Sequence, residues 1–416
     1  MALCQAWRDA IRPGLLGSLL LSAGLLFGAC SANNPAAPLA QAPPVGSLAE
    51  PAQPARPHPS AKVALIVPLS GSGAAGLVGK SLKQAAELAV FERDNPSVQL
   101  IVKDDKGTPE GARAAADEAI KEGASLILGP LFAKSVGSVA PVARAANVPV
   151  VAFSNDRSVA GNGVFLLGFQ PAPEVNRIVG YAAEQGKKRF VALIPDDAFG
   201  RLASAAFKDA VARAGGNIIA VETYPLHANS MLEPLRRIAT VIEAAGAEAP
   251  IDALFLPGSQ EHLDLVGRLL PQANIDTRKI KILGTGGMDY PNAGRDQSLQ
   301  GAWFPAPDPA GWNDFAQKFA KAYGQAPPRI ATLAFDGMSL AAALSAGGGV
   351  QAFTTASLTR PAGFTGVDGT FRLTSTTCER PLAILEVQKF GASIIEPAGA
   401  MNTGPSAQEG PPRALN

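Results

Sequence analysis

Val63-Ala64-Leu65-Ile66-Val67-Pro68-Leu69-Ser70-Gly71 opens the foldable part of the chain. After Lys62, the residues from Val63 to Pro68 form one unbroken apolar run. A strand with one wet face alternates polar and apolar side chains. An unbroken run instead suits a parallel strand covered on both faces. The run ends in a Gly/Ser loop, and Leu82, Ala85, Ala86, Ala89 and Val90 then recur at helical spacing, which predicts a helix over 80–91. Strand and helix keep alternating: 98–102 strand, 109–122 helix, 126–128 strand, 135–146 helix, 148–153 strand. The rhythm restarts with helices over 174–185, 202–214, 231–245 and 261–270, and strands over 190–194, 218–223, 253–256 and 280–283.

Repeated βα units imply parallel sheets with right-handed crossovers. About eight units could form one large sheet, a barrel or two smaller sheets. Two extended stretches break the rhythm, Gly163 to Pro171 and Leu299 to Pro307. Extended crossings at these places suit two lobes joined by hinge strands.

Outside this region the chain reads differently. Arg8 and Arg12 precede an apolar run from Leu15 to Ala29, too short for a comfortable membrane span and suited to the core of a signal peptide. It ends Leu25-Leu26-Phe27-Gly28-Ala29-Cys30, which resembles a bacterial lipobox with Phe27 in place of the usual Leu. That implies a signal peptide over 1–29 and lipidation of Cys30. Ser31 after the Cys favours the outer membrane. Residues 31–60 hold eight Pro and eight Ala but only two charged residues, Glu50 and Arg56. Such a segment buries no core and reads as a tether over 30–60. Residues 396–416 read as a disordered tail.

Composition excludes several function classes. Lys+Arg is 36 and Asp+Glu is 35, for a net charge of +1, whereas a polyanion binder needs a basic excess on its binding face. Three Cys make no disulfide framework, and three His leave little for metal sites or His-based catalysis. No cofactor, no nucleic acid and no enzymatic activity are expected.

Several stretches together resemble type I periplasmic binding proteins, the leucine/isoleucine/valine-binding family. The opening stretch Val63 to Gly71 is similar to that family's first strand and loop. Lys103-Asp104-Asp105-Lys106-Gly107-Thr108-Pro109 is similar to its acidic strand end before a helix starting on Pro. Glu122 to Pro130 and Asn147 to Ser154 resemble the strands leading to its ligand loops. The resemblance implies an α/β fold of two lobes, each a parallel sheet flanked by helices, with three interlobe crossovers and a ligand cleft. Lobe 1 would comprise 61–169 plus 304–365, and lobe 2 would comprise 170–303 plus 366–395. The lobes would close about crossings near Phe169–Pro171, Trp303–Pro305 and Thr365–Thr370.

In open parallel sheets a ligand sits beyond the carboxyl ends of the strands, where helix N-termini favour anionic groups. This places candidate ligand-binding residues in lobe-1 loops (Ser70, Ser72, Phe132, Lys134, Ser135, Ser154, Asn155, Asp156) and lobe-2 loops (Phe199, Ser259, Gln260, Thr285, Asp289). The resemblance also exposes departures. Amino-acid binders of the family hold the ligand carboxylate with lobe-1 hydroxyls and answer its ammonium with a lobe-2 acid. Here Ala133 stands at the first hydroxyl position, Ser259 at the lobe-2 aromatic position and Gly286 at the acid position. Asp289, three residues on, has to reach back. An ammonium left without a carboxylate in a closed cleft costs a few kcal/mol or more.

Other motifs have bland readings. Gly73 to Ser81 imitates a phosphate-binding loop, but Ala74 occupies the first glycine position, so a flexible cleft loop with a solvated Lys80 is expected. His262 and Asp264 do not face each other on a helix, and His58 and His227 have no metal-ligand spacing. No nucleophile elbow occurs in the folded body. Asp196-Asp197 read as a strand end and the start of a helix. Phe132 and Phe199 suit ligand contact or lobe packing, Lys134 suits exposure or an anion contact, and Trp303 and Trp312 suit core or hinge packing. Cys378 reads as a buried inert thiol.

Two functions remain. One is a lipid-anchored solute-binding protein on the periplasmic side of the envelope, which captures an amino acid or other small solute for an ABC permease. The other follows from a second resemblance. The lipobox, the tether, Leu283-Gly284-Thr285-Gly286 and Gly301-Ala302-Trp303-Phe304 resemble penicillin-binding-protein activator lipoproteins. That implies a regulator of a peptidoglycan synthase acting through protein contacts, with the membrane reached only through the lipid anchor.

Overall fold

The computed structural model describes residues 61–93, 97–225, 228–348, 352–399 and 401. The expected signal peptide, Cys30, the tether with His58, and His227 lie outside these residues, as does the expected tail except 396–399 and 401. The first lobe runs β1 (Ala61–Val67), α1 (Ala74–Arg93), β2 (Val98–Asp104), α2 (Pro109–Lys121), β3 (Ala124–Leu128), α3 (Ala133–Ala145), β4 (Val150–Ala152) and β5 (Val164–Leu166). Its five strands lie in the order β2-β1-β3-β4-β5, all parallel. The chain then crosses and builds α4 (Pro171–Glu184), β6 (Arg189–Pro195), α5 (Ala198–Arg213), β7 (Asn217–Tyr224), α6 (Ala228–Ala245), β8 (Ala253–Phe255), α7 (Gln260–Leu269), β9 (Lys281–Leu283) and β10 (Trp303–Ala306).

After β10 the chain returns to the first lobe with α8 (Pro309–Tyr323), α9 (Thr332–Gly348), α10 (Thr355–Leu358) and a small antiparallel sheet. That sheet is β11 (Phe364–Gly366), β12 (Gly369–Leu373) and β13 (Cys378–Glu379). A third crossing leads to β14 (Ala383–Val387) and β15 (Ala392–Glu396). These add antiparallel to β10 and complete a seven-stranded sheet, β15-β14-β10-β9-β8-β6-β7.

The opening run has two wholly buried faces, as its composition requires. Val63, Leu65 and Val67 enter a core with α1, α8 and α9, while Ala64 and Ile66 enter a second core under α2 and α3. The second sheet is likewise covered by α6 and α7 on one face and by α4 and α5 on the other.

Three sequence expectations move. Helix α1 starts at Ala74, not 80, so the Gly-rich stretch is helix and not a flexible loop. The glycines serve close approach, since a Cβ at Gly79 would lie 2.5 Å from the Pro68 carbonyl oxygen. Helix α5 starts at Ala198, which puts Phe199 in its first turn, half-buried against the second lobe's core. The crossings also shift. β10 lies in the second sheet, and Phe364, Phe371 and Cys378 pack into the first lobe's core. The second crossing is therefore 307–308 rather than Trp303–Pro305, and the third is 380–382 rather than Thr365–Thr370.

Candidate functional site

The loops after β1, β2, β3 and β4 meet at one end of the first sheet. The Ser70 N–H donates to Asp104 Oδ1 at 3.2 Å, and Lys106 N–H donates to the same oxygen at 2.8 Å. Burial works against this charge, but the bonds from Ser70 and from backbone N–H groups prevail and hold Asp104 below the usual range. Beside it, burial pushes Asp105 up to about 6. Phe132 is 39% exposed and flanks the Gly107 turn. Ser70, Ser72 and Lys134 are exposed, and Asn155 is half-buried.

Two expected ligand groups in this lobe make local hydrogen bonds. Ser154 Oγ accepts from the Asp156 N–H at 3.1 Å, and Asp156 Oδ1 accepts from the Ser158 N–H at 2.9 Å, which closes a turn. Ser135 differs. It is 1% exposed in the first turn of α3, and its Oγ has no partner. Phe132, the N-cap of that helix, supplies no side-chain cap, so the free N–H groups of the first turn remain available.

In the second lobe Asp197 caps α5, with Oδ1 accepting from the Gly200 N–H at 2.6 Å, so Asp196-Asp197 are a strand end and a helix start. Asp197→Ala is expected to lower stability by about 1 kcal/mol, the usual loss for an N-cap; urea unfolding with an unchanged slope checks it. Ser259 and Gln260 start α7 and are exposed, with Ser259 Oγ 3.2 Å from His262 Nδ1. The β8 and β9 loops interlock, because any Cβ at Gly287 would fall on the Gly258 carbonyl. Thr285 is 1% exposed, and its Oγ1 has no partner. The hydroxyl of the fully buried Tyr224, at the end of β7, also lacks one, and burial pushes that phenol up.

Asp289 reaches across to the first lobe. Its Oδ2 accepts from Arg329 Nε at 3.1 Å, and burial raises its carboxyl against the pull of that guanidinium. Arg329 Nη1 also lies 2.7 Å from Asp368 Oδ1, in close contact but without hydrogen-bond alignment. Behind this pair Arg380 lies 3.2 Å from Asp336 and 4.0 Å from Asp368, and donates to the Leu167 carbonyl at 3.3 Å. Glu174, in the first turn of α4, accepts the Gly286 N–H at 2.9 Å, and burial pushes it up to about 7. Gln170, at the first crossing, is 4% exposed, and neither end of its amide has a partner.

Sequence reading missed Gln170, Glu174, Tyr224 and Arg329. The only available signal was the glycine at 286, which leaves room for a carboxylate from elsewhere. Among the motifs with bland readings, Trp303 packs edge-on to Tyr181 at 5.0 Å and donates to Glu386, and Trp312 lies under Arg329 at 4.7 Å. Both are packing residues. Cys378 is buried and free. No cluster of metal-ligating side chains occurs among the described residues.

Surface cavities lie elsewhere. One of about 250 Å³ is lined by Glu92, Lys318 and Phe335, one of about 680 Å³ by Arg157, Asn176 and Arg213, and one of about 450 Å³ by Arg113, Ile120 and Pro141. They sit between helices and include none of the expected ligand residues. Ser135, Tyr224 and Thr285 are among the buried polar atoms without a partner, and these three stand at strand tips.

A sequence profile of the family described as periplasmic binding protein matches residues 60–392. The chain is 21% identical over 225 residues to an uncharacterized protein of Rickettsia prowazekii, covering 53% of this chain and 59% of that one. It is 27% identical over 186 residues to Leu/Ile/Val-binding protein homolog 6 of Brucella abortus, covering 42% and 47%. The chain thus spans about half the length of the curated relatives it matches. Among solved structures it is similar to a solute-binding protein of an ABC transporter from Rhodopseudomonas palustris in complex with 3,4-dihydroxybenzoic acid, with TM-score 0.65, 22% identity, and coverage of 82% of this chain and 96% of that one. It is also similar to a leucine-binding protein from Thermotoga maritima, with TM-score 0.59, 20% identity, and coverage of 80% and 97%. At these identities the likeness concerns the fold.

Proposed function

Because the chain belongs to the type I periplasmic binding protein family of the leucine/isoleucine/valine-binding kind, we propose that it captures a small organic acid between its two lobes and delivers it to an ABC importer. The observation that carries this is unmet hydrogen-bonding capacity at the strand tips of both lobes. Ser135 Oγ on one side, and Tyr224 Oη and Thr285 Oγ1 on the other, are buried and unpartnered. Each such group costs about 1–3 kcal/mol. A ligand that closes the lobes relieves that cost only in the closed state, which is the differential contact closure requires.

The free N-terminus of α3 beside Ser135 favours a carboxylate. Ser135, Tyr224 and Thr285 are the core of the proposed site, with Phe132 and Phe199 bordering it. The remaining expected residues, Ser70, Ser72, Lys134, Ser154, Asn155, Asp156, Ser259 and Gln260, line its loops. Asp289 serves as a strut between the lobes. The related R. palustris and T. maritima proteins, described as binding 3,4-dihydroxybenzoic acid and leucine, support an acid of amino-acid or aromatic type. The reading involves binding without a chemical step. It includes export and anchoring through Cys30 on the periplasmic side of the outer membrane.

A melting screen of the full chain against amino acids and aromatic acids tests the proposal. A true ligand at 100 times its dissociation constant is expected to add about 2.7 kcal/mol. If no acid of either type shifts the melt, the solute-binding reading falls. The second resemblance then predicts that the protein accelerates a peptidoglycan synthase, a separate assay.

A further inference from the structure

We propose that the outer edge of β15 is an interface with a second copy of this chain, which adds its own β15 in antiparallel alignment about a two-fold axis. β15 (Ala392–Glu396) ends the seven-stranded sheet and has β14 as its one strand neighbour among the described residues. The backbone N–H and C=O groups along its other side form a template for one more strand. Successive side chains of a strand point to opposite faces. Ile394 and Ile395 therefore lie on different faces, yet they are 40% and 37% exposed, so neither face is closed over at this edge. Phe390, at the tip of the hairpin that leads from β14, is 79% exposed.

The other sheet edges are guarded, as edges in monomeric proteins are. β5 is three residues long and buried. β2 carries Lys103, held by Glu118 and Glu122, and β7 carries Glu222, held by Arg237. In β15 the one charged residue is Glu396 at its far end, where it pairs with Arg177 at 2.6 Å. No charge interrupts the edge from Ala392 to Ile395.

Charge order selects the occupant. Lys389-Phe390-Gly391-Ala392-Ser393-Ile394-Ile395-Glu396 has a cation at one end, a carboxylate at the other and no charge between them. An antiparallel copy of the same stretch, with the axis between Ala392 and Ser393, brings Lys389 of each chain beside Glu396 of the other and Phe390 beside Ile395. A parallel copy would set like charges against each other, which destabilises a strand pair. Such a two-fold contact uses one patch twice and closes at two chains. β15 contributes none of the residues assigned to the solute site, so the inference stands apart from the solute-binding reading.

Sedimentation velocity on the full-length chain at rising concentration tests it, with a mild detergent present to cover the apolar run over 15–29. The expected result is a monomer–dimer equilibrium. Ile395→Lys, which puts a charge on the edge, and Lys389→Glu, which sets two carboxylates together, should each raise the dissociation constant at least about tenfold. Lys389→Arg should leave it unchanged. Both weakening substitutions fall at the protein surface, and matching melting temperatures confirm that the variants are folded. A monomer at every concentration, an assembly that grows beyond two chains, or a dimer that either weakening variant leaves unchanged overturns the proposal.

Discussion

Replacing Arg380 by methionine is expected to cost the protein about 3–5 kcal/mol of stability at neutral pH, the range found when one partner of a buried ion pair is removed. Its side chain is 5% exposed, and those of Asp336 and Asp368 are fully buried. The guanidinium lies over the rings of Phe371 at 4.9 Å and Phe169 at 5.3 Å, so methionine keeps much of the packing while losing the charge. Asp336 would keep the Val367 N–H at 2.7 Å but lose the one cation paired with it among the described residues. Burial already pushes Asp336 up to about 6 against the pull of Arg380, so without that pull it takes a proton more readily. The loss should therefore shrink at pH 5, and Asp336→Asn in the Arg380→Met background should recover part of it. Guanidinium unfolding at pH 7.5 and pH 5 measures both. A loss under about 1 kcal/mol at pH 7.5 contradicts the prediction.

Stability is also expected to fall as pH rises from about 4 to about 7. Glu174 has an ordinary value of 4.5 and is pushed to about 7 in the folded protein, where it faces Arg329, Asp289 and the Gly286 N–H. Below 4.5 both folded and unfolded chains hold its proton, so it adds nothing to the slope. Between 4.5 and 7 the folded chain keeps a proton that the unfolded chain loses, and stability declines through that window. Above 7 the deficit is constant. Asp336, facing Arg380, Asp368 and the Val367 N–H, acts the same way between 3.8 and about 6. Asp105, facing Asp104 and the Gly107 N–H, does so over a similar range. For Glu174 and Asp336 the decline is on the order of 3 kcal/mol each. Asp104, held low, opposes them only toward the acid end, where its stabilisation is lost as pH falls. Thermal melts from pH 4 to pH 8 should show the decline, and Glu174→Gln should flatten its upper part. A flat or rising profile between pH 5 and 7 counts against the burial of these groups.

The alternation of strand and helix was readable because the central strands β1, β4, β6 and β8 are built on uninterrupted apolar runs. Val63 to Val67 could only be covered on both faces, and it is. What misled was local chemistry with a distant cause. Gly76 and Gly79 look like loop residues, yet they let α1 pack against the 68–71 turn. Phe364 to Glu379 contains strand-like residues, but nothing in their order says which lobe's core they join. The candidate site fared similarly. Ser135 and Thr285 stand at strand tips, where topology alone points. Asp156, an expected ligand group, also closes its own turn with Oδ1, a role its place in the sequence does not announce. Glu174 was invisible because its meaning depends on Gly286, 112 positions away.

The three connections between the lobes emerge as one bundle. Ala306, where one of them begins, and Ala383, where another ends, are paired neighbours in β10 and β14, and Arg380 fastens the remaining one to these through the Leu167 carbonyl. Any swing of one half against the other must pivot about this bundle, so the two halves can stay stiff while a few bonds twist. Arg380 then behaves as a rivet through the pivot. A change in its bulk or charge therefore acts on all three connections at once, through Asp336, Asp368 and the Leu167 carbonyl.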